Sequence, residues 1–174
     1  MTNENRVAVV TGGGQGIGKG IVEQLCRDGY AVVLADLNET TAKATADELV
    51  AKGFKVSFVV GDGSKKEAHV KFVEKAVAEF GRLDTYINNA GIAQIKTLQE
   101  ETPEDFEQIF KINVFGTLFG IQAATEQFRE QDDGEKIRKI INASSIAGHV
   151  AFDLLGAYSS TKFAVRGLTQ AAAK

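Results

Sequence analysis

With 174 residues, 44% of them hydrophobic and 25% charged, the chain has the makeup of one soluble globular domain with a sizeable core. Its net charge of -3 offers no basic footprint for nucleic acid or an anionic membrane, and a lone cysteine, Cys26, excludes an intrachain disulfide and fits a reducing cytosol. The most apolar long stretch, INVFGTLFGIQAA, is too short to span a membrane, and MTNENRVAVV lacks the layout of a signal peptide, so a cytoplasmic location is expected.

Short apolar runs then alternate with helical patterns. RVAVVT (6–11) is almost continuously apolar, the mark of a strand buried on both faces. It runs into GGGQGIG, where Gly12, Gly16 and Gly18 form a G-x3-G-x-G pattern before a helix, with Gln15 in the loop. The first glycine permits a tight turn. The later ones let backbone approach a pyrophosphate and let helix pack on strand, while unpaired N–H groups and the helix dipole favour the anion. Cys26 lies beside the Ile17–Ile21–Leu25 stripe and is expected to pack rather than react.

The second strand, AVVLAD (31–36), ends at Asp36, 18 residues beyond Gly18. An acid there accepts hydrogen bonds from an adenosine ribose and repels a 2′-phosphate. Leu37, not a base, follows it, so NAD is favoured over NADP. Asn38 reads as the cap of ETTAKATADELVAK. After the third strand, KVSFVVG (55–61), Ser64 and Glu67 read as a capping box, and His69 is expected to be solvated on a charged helix face. LDTYIN (83–88) is the fourth strand. Thr102–Pro103–Glu104–Asp105 supplies a cap, an N1 proline and acids to another helix.

Asn113 falls inside a helical pattern, where asparagine is disfavoured unless its side chain or backbone does something else. Gly116 and Gly120, four apart on that helix, give a flat strip for close packing, against a partner or against the chain's own sheet. REQDDGEKIRK (129–139) reads as a solvated loop and KIIN (139–142) as the fifth strand. The last helix carries Tyr158 and Lys162, four apart and hence on one face. This alternation implies right-handed βαβ units and a Rossmann-type doubly wound parallel α/β sheet. No linker marks a second domain. Five strands are visible where the dinucleotide fold uses six, and the pattern stops inside a helix, so the single domain 1–174 reads as incomplete at its C-terminus. Neither His69 nor His149 pairs with cysteine or carboxylate at metal spacing, and no metal is expected.

Five motifs in order (TGGGQGIG, NNAG at 88–91, NVFG at 113–116, NASSIAG at 142–148 and YSSTK at 158–162) resemble those of the short-chain dehydrogenase/reductase family over essentially the whole length. The resemblance implies a catalytic set of Asn113, Ser145, Tyr158 and Lys162. Tyr158 would be the acid/base, Lys162 its partner, and Asn113 the holder of a water in the proton relay. Ser145, thirteen positions before Tyr158, matches the catalytic serine better than Ser144. It also implies NAD contacts from Gly12, Gln15, Gly16, Ile17, Gly18, Asp36, Leu37, Asp62, Gly63 and Asn89, with Tyr158 and Lys162 at the nicotinamide. Asp62 would touch adenine. Gly63 departs from the aliphatic residue usual there, which implies a looser adenine pocket. The implied partners are a small carbonyl or alcohol substrate and further copies of the chain, as a homodimer or homotetramer. Within the family, GHV and KFAVRGLTQ are most similar to acetoin/diacetyl reductases and 2,3-butanediol dehydrogenases. A polyol or 3-oxoacyl-thioester dehydrogenase, or a sensor that binds cofactor without turnover, stands as the alternative.

The chemistry explains the Tyr–Lys spacing. A ketone that accepts hydride develops negative charge on oxygen and needs a proton from a group near neutral pKa. A free phenol titrates near ~10, and bringing it to about 7 takes roughly 4 kcal/mol of phenolate stabilisation. One positive charge about 4 Å away supplies an interaction of that size at an effective dielectric near 20. Ser145, just past the fifth strand, can orient and stabilise the substrate oxygen. His149 is a further candidate substrate contact, beside an apolar wall of Phe152, Leu154 and Leu155.

Overall fold

The Val- and Ile-rich runs pair as five parallel strands in the computed structural model, which describes residues 6–131 and 137–174. They are β1 (Val7–Thr11), β2 (Ala31–Asp36), β3 (Val56–Val60), β4 (Thr85–Asn88) and β5 (Lys139–Asn142), in the order β3-β2-β1-β4-β5. β1 is central, with Val9 opposite Val33 on one side and Tyr86 on the other. The chain builds outward from β1 to β3, then returns to the other side for β4 and β5. That reversal marks the place where a doubly wound sheet opens a crevice at its carboxyl edge.

Helices α1 (Gly16–Arg27), α2 (Glu39–Ala51), α3 (Lys66–Phe80), α4 (Pro103–Phe110), α5 (Gly116–Glu130) and α6 (Gly156–Ala172) connect and cover the strands. A π-helical turn, Lys111–Phe115, joins α4 to α5, and a 3-10 turn spans Ile146–Gly148. Because side chains alternate across a strand, the sheet feeds two cores. Val7, Val9, Val33 and Tyr86 pack with Phe72 and Ala76 of α3 and Ala123 and Ala124 of α5. Ala8, Val10, Val32, Leu34 and Ile87 pack with Val22 and Cys26 of α1 and Ala42 and Leu49 of α2. Both faces of β1 are therefore dry, as its unbroken apolarity requires. Burial, with the charge of Glu23 second, pushes the Cys26 thiol up to about 11, so it is a packing residue. Among the described residues no helix is long and apolar enough to cross a membrane.

Local signals place most helix starts. The Asn38 side chain accepts from the Thr41 N–H at 3.1 Å, and Thr102 and Asp105 cap one another's backbone N–H groups ahead of Pro103. The Ser64–Glu67 box does not form. Lys65 is the N-cap of α3, without a side-chain cap, because the Ser64 N–H turns back to Asp62 Oδ1 at 2.9 Å. The supposed loop 129–139 is shorter than expected: α5 runs through Glu130 and β5 begins at Lys139, while 132–136 lie outside the described residues.

One further expectation is corrected, and one open choice between two packings is decided. His69 is not solvated but 2% exposed. It belongs to the stripe His69, Phe72, Val73 and Ala76, whose i, i+3, i+4, i+7 spacing turns it inward while its charged neighbours face out. Gly116 and Gly120 do not present a strip to a partner. They face the chain's own sheet: a Cβ at Gly120 would overlap Asn88 Oδ1 and lie 2.8 Å from Tyr86 Cε1, and one at Gly116 would lie 2.7 Å from the Gly63 carbonyl oxygen. Gly120→Ala is therefore expected to cost about 1–3 kcal/mol by overpacking. Thermal denaturation at several protein concentrations should show a lowered Tm whose shift does not depend on concentration.

Candidate functional site

At the carboxyl edge of the sheet lies a cleft of about 740 Å³. Its lining comes from four successive strand ends: Gly12, Gln15, Ile17 and Gly18 after β1, Asp36 and Leu37 after β2, Asp62 and Gly63 after β3, and Asn89 to Ile92 after β4. Ile17 and Leu37 are 80% and 70% exposed there, apolar side chains offered to a flat ligand surface rather than to the core.

The glycine loop is shaped by close approach. Gly12 and Gly16 have φ of 64° and 55°, the left-handed region that favours glycine. A Cβ on Gly18 would overlap the Gly12 carbonyl, so α1 can rest directly on the loop only because that atom is missing. Gly14, which the motif reading passed over, donates its N–H to Asp36 Oδ2 at 2.9 Å, and the Thr45 hydroxyl donates to the Gly14 carbonyl at 2.8 Å. From β4, Asn89 Nδ2 donates to the Thr11 and Gly12 carbonyls at 3.0 and 3.3 Å. Thr11 Oγ1 accepts the N–H groups of Asn89 and Ala90 in return. Gln15, the N-cap of α1, makes no side-chain hydrogen bond. The leading N–H groups of α1 thus face the cleft with the helix dipole behind them and no side chain capping them, a cradle that fits a phosphate.

Asp36 is held at the far side, its second oxygen accepting the Asn38 N–H at 3.0 Å. Asp62 curls its carboxylate onto the Ser64 N–H, and that hydrogen bond holds it below the usual carboxylate range.

The residues expected to do chemistry gather next to this cleft rather than in its lining. Lys162 is 6% exposed, and its ammonium donates to the Ala143 carbonyl at 2.7 Å and sits 5.6 Å from the centre of the Tyr158 ring. Burial pulls its pKa below the ordinary lysine value. Asn113 lies in the π-helical turn, where the widened backbone turns its amide inward. Its Oδ1 accepts the Ile92 N–H at 2.9 Å, while its Nδ2 donates to the Ile92 carbonyl at 2.9 Å and to Thr161 Oγ1 at 3.0 Å. Asn113 therefore clasps the strand-end segment after β4 to α6. A Cβ on Gly91 would stand 3.1 Å from Asn113 Oδ1 and 3.7 Å from Lys162 Nζ, so Gly91 is where the cleft meets the Tyr–Lys helix.

The two serines differ. Ser144 Oγ donates to the Lys162 carbonyl at 3.2 Å and so fastens α6, whereas Ser145 Oγ accepts from the Ala147 N–H at 3.1 Å, which leaves its own proton to give. His149 ends the 3-10 turn and is exposed, and Phe152 and Leu154 border solvent. Leu154 has φ of 60°, and its carbonyl accepts the Lys96 N–H at 3.0 Å. Glu101, from the segment before α4, caps α6 by accepting the Ala157 N–H at 3.0 Å. Thr11, Gly14, Thr45, Gly91, Glu101 and Thr161 all escaped the sequence reading. Only the NNAG motif hinted at Gly91. The others act through partners 22 to 79 positions away, and no local pattern reports such pairs.

The family profile described as short chain dehydrogenase matches residues 6–174. The chain is 46% identical over 170 residues to a diacetyl reductase [(S)-acetoin forming] of Staphylococcus epidermidis, covering 98% of this chain and 65% of that protein. It is 50% identical over 172 residues to an L-2,3-butanediol dehydrogenase of Corynebacterium glutamicum, covering 98% and 66%. Among solved structures, a short chain dehydrogenase/reductase from Burkholderia phymatum in complex with NAD superposes with a TM-score of 0.91 at 30% identity, over 98% of this chain and 60% of that one. The chain thus spans about two thirds of the length of the relatives it matches.

The Asn113 clasp yields a stability expectation. Asn113→Ala would orphan both backbone groups of Ile92 and remove the donor to Thr161 Oγ1, which keeps its own bond to the Tyr158 carbonyl, a loss of about 2–4 kcal/mol that urea denaturation should register.

Proposed function

This chain belongs to the short-chain dehydrogenase family, and from that premise we propose that it is part of an NAD(H)-dependent oxidoreductase interconverting a small ketone and its secondary alcohol, with diacetyl, acetoin or 2,3-butanediol as substrate. The observation that carries the reading is the junction at Gly91. There the glycine-rich, acid-ended cleft meets the Asn113 clasp and the buried Lys162, with Tyr158 one helical turn away on the same helix. The names of the relatives point to the same substrate class.

In this reading the α1 N-terminus and Gly12–Gly18 hold the pyrophosphate and the Asp36 carboxylate accepts from the adenosine ribose. Asp62 and Gly63 border adenine, and Lys162 donates to the nicotinamide ribose. Bound nicotinamide supplies or accepts the hydride at the carbonyl carbon. Ser145 donates a hydrogen bond to the substrate oxygen and stabilises it as charge develops. The Tyr158 hydroxyl gives its proton to that oxygen in reduction and takes it back in oxidation. The Lys162 ammonium offsets the negative charge left on the Tyr158 oxygen, at a buried position where water screens it little. The exposed apolar side chains Phe152 and Leu154 suit a short uncharged substrate. Assembly as a homodimer or homotetramer completes the reading. It rests on family membership and not on Gly116 and Gly120.

Two variants test it. Tyr158→Phe removes only the hydroxyl, so turnover of diacetyl with NADH should fall at least about a hundredfold while NADH binding, followed by fluorescence, is retained. Near-normal turnover would remove Tyr158 from the acid/base role. Asp36→Ala should lower the preference for NAD over NADP by about tenfold in steady-state kinetics, because it deletes both the ribose acceptor and the charge that repels a 2′-phosphate.

A further inference from the structure

Behind the cleft wall formed by the end of β3, a buried polar pair has no part in the chemistry described so far. His69 and Tyr86 are both within the core, with His69 Nδ1 2.7 Å from the Tyr86 hydroxyl and Nε2 2.8 Å from the Gly63 carbonyl oxygen. A carbonyl only accepts, so Nε2 carries the proton. Burial keeps the imidazole pKa below its ordinary value and that of the Tyr86 phenol well above its own, so both groups are neutral. Nδ1 is then an acceptor and the Tyr86 hydroxyl must donate to it. Every proton in the relay has one place: Tyr86 O–H to Nδ1, and Nε2–H to the Gly63 oxygen.

Gly63, whose carbonyl ends this relay, is a residue of the cleft lining. Three surrounding features define its setting. A Cβ on Gly116 would come within 2.7 Å of the Gly63 oxygen, so α5 leaves room at that carbonyl only by having glycine there. A Cβ on Gly63 would meet nothing nearer than His69 Nε2 at 3.8 Å. The imidazole plane is fixed by Phe72 and Phe119, at centroid distances of 5.5 and 6.4 Å. Glycine in a turn loses more conformational freedom on ordering than any other residue, so a turn through Gly63 needs an anchor if it is to be set before a ligand arrives.

We propose that His69 is a positioning residue for the nucleotide half of the cleft: backed by Tyr86, it holds the Gly63 carbonyl so that the Asp62–Ser64 turn is preset for the adenosine end of the dinucleotide. This rests on the cofactor reading above. It predicts an effect confined to one half of the ligand, which a general loss of packing does not produce. Full chains carrying His69→Leu, His69→Gln and Tyr86→Phe would be titrated with NADH, with AMP and with nicotinamide mononucleotide, alongside thermal melts. His69→Leu should weaken NADH and AMP about tenfold and leave nicotinamide mononucleotide unchanged, whereas His69→Gln, which keeps an N–H for Gly63, should recover to within about threefold. Equal losses for AMP and nicotinamide mononucleotide, or none for AMP, overturn the proposal. If His69→Leu does not fold, Tyr86→Phe decides: a selective loss for AMP supports it and unchanged affinity overturns it. Wild-type chain that binds neither NADH nor AMP removes the cofactor reading and this inference together, while wild-type binding with unchanged variants removes this inference alone.

Discussion

The site depends on one stitch between two strand ends. β1 and β4 are neighbours in the sheet, yet the chain leaves them in different directions, one into the glycine loop and the other into Asn89–Ile92. Thr11 and Asn89 tie those departures together through side chain to backbone hydrogen bonds in both directions. With the two exits joined, the glycine loop cannot drift from the segment that carries Gly91, and the loop and the Tyr158–Lys162 helix keep a common frame. The stitch is possible because Gly12 takes a left-handed conformation and Gly18 carries no side chain.

The Tyr158–Lys162 end is held by hydrogen bonds between separate elements, which is how a site stays rigid without bound ligand. Asn113 clasps Ile92 and Thr161, Ser144 fastens the Lys162 carbonyl, and Glu101 caps α6 in place of a local side chain. Lys162 is the exception to comfort. Its ammonium is desolvated against the Ala143 carbonyl and the Tyr158 ring, both neutral, so the fold keeps a charge where burial disfavours it. Placing a charge there is a local conflict between stability and use, and such conflicts collect at functional sites.

Glycine has three distinct uses along the chain. At Gly12 and Gly16 it permits a backbone conformation, at Gly18 and Gly120 it lets helix approach strand, and at Gly91 it leaves space for the Asn113 side chain. Only the first kind announces itself by local spacing. The pair Gly116 and Gly120 shows the hazard, since the same i, i+4 spacing suits a helix against a partner or against its own sheet, and the choice belongs to Asn88, Tyr86 and Gly63.

The strands, their parallel order, the cradle and the Tyr–Lys face were legible in the sequence because each follows from a period or a short-range motif. Continuous apolarity gives buried strands, glycines after the first strand give the tight loop into α1, and a spacing of four gives one helical face. Family membership was likewise legible, since five motifs in order leave little freedom. Tertiary structure decided the partners of His69: the apolar stripe it shares with Phe72, Val73 and Ala76 turns it inward, but nothing local names Tyr86 and Phe119 as its neighbours in space. It also decided the start of α3, where a turn onto Asp62 outcompeted a capping box, and the roles of Gly14, Thr45, Glu101 and Thr161. Those residues act on partners brought near by the sheet, and a hydrogen bond between distant positions leaves no periodic trace in the chain that makes it.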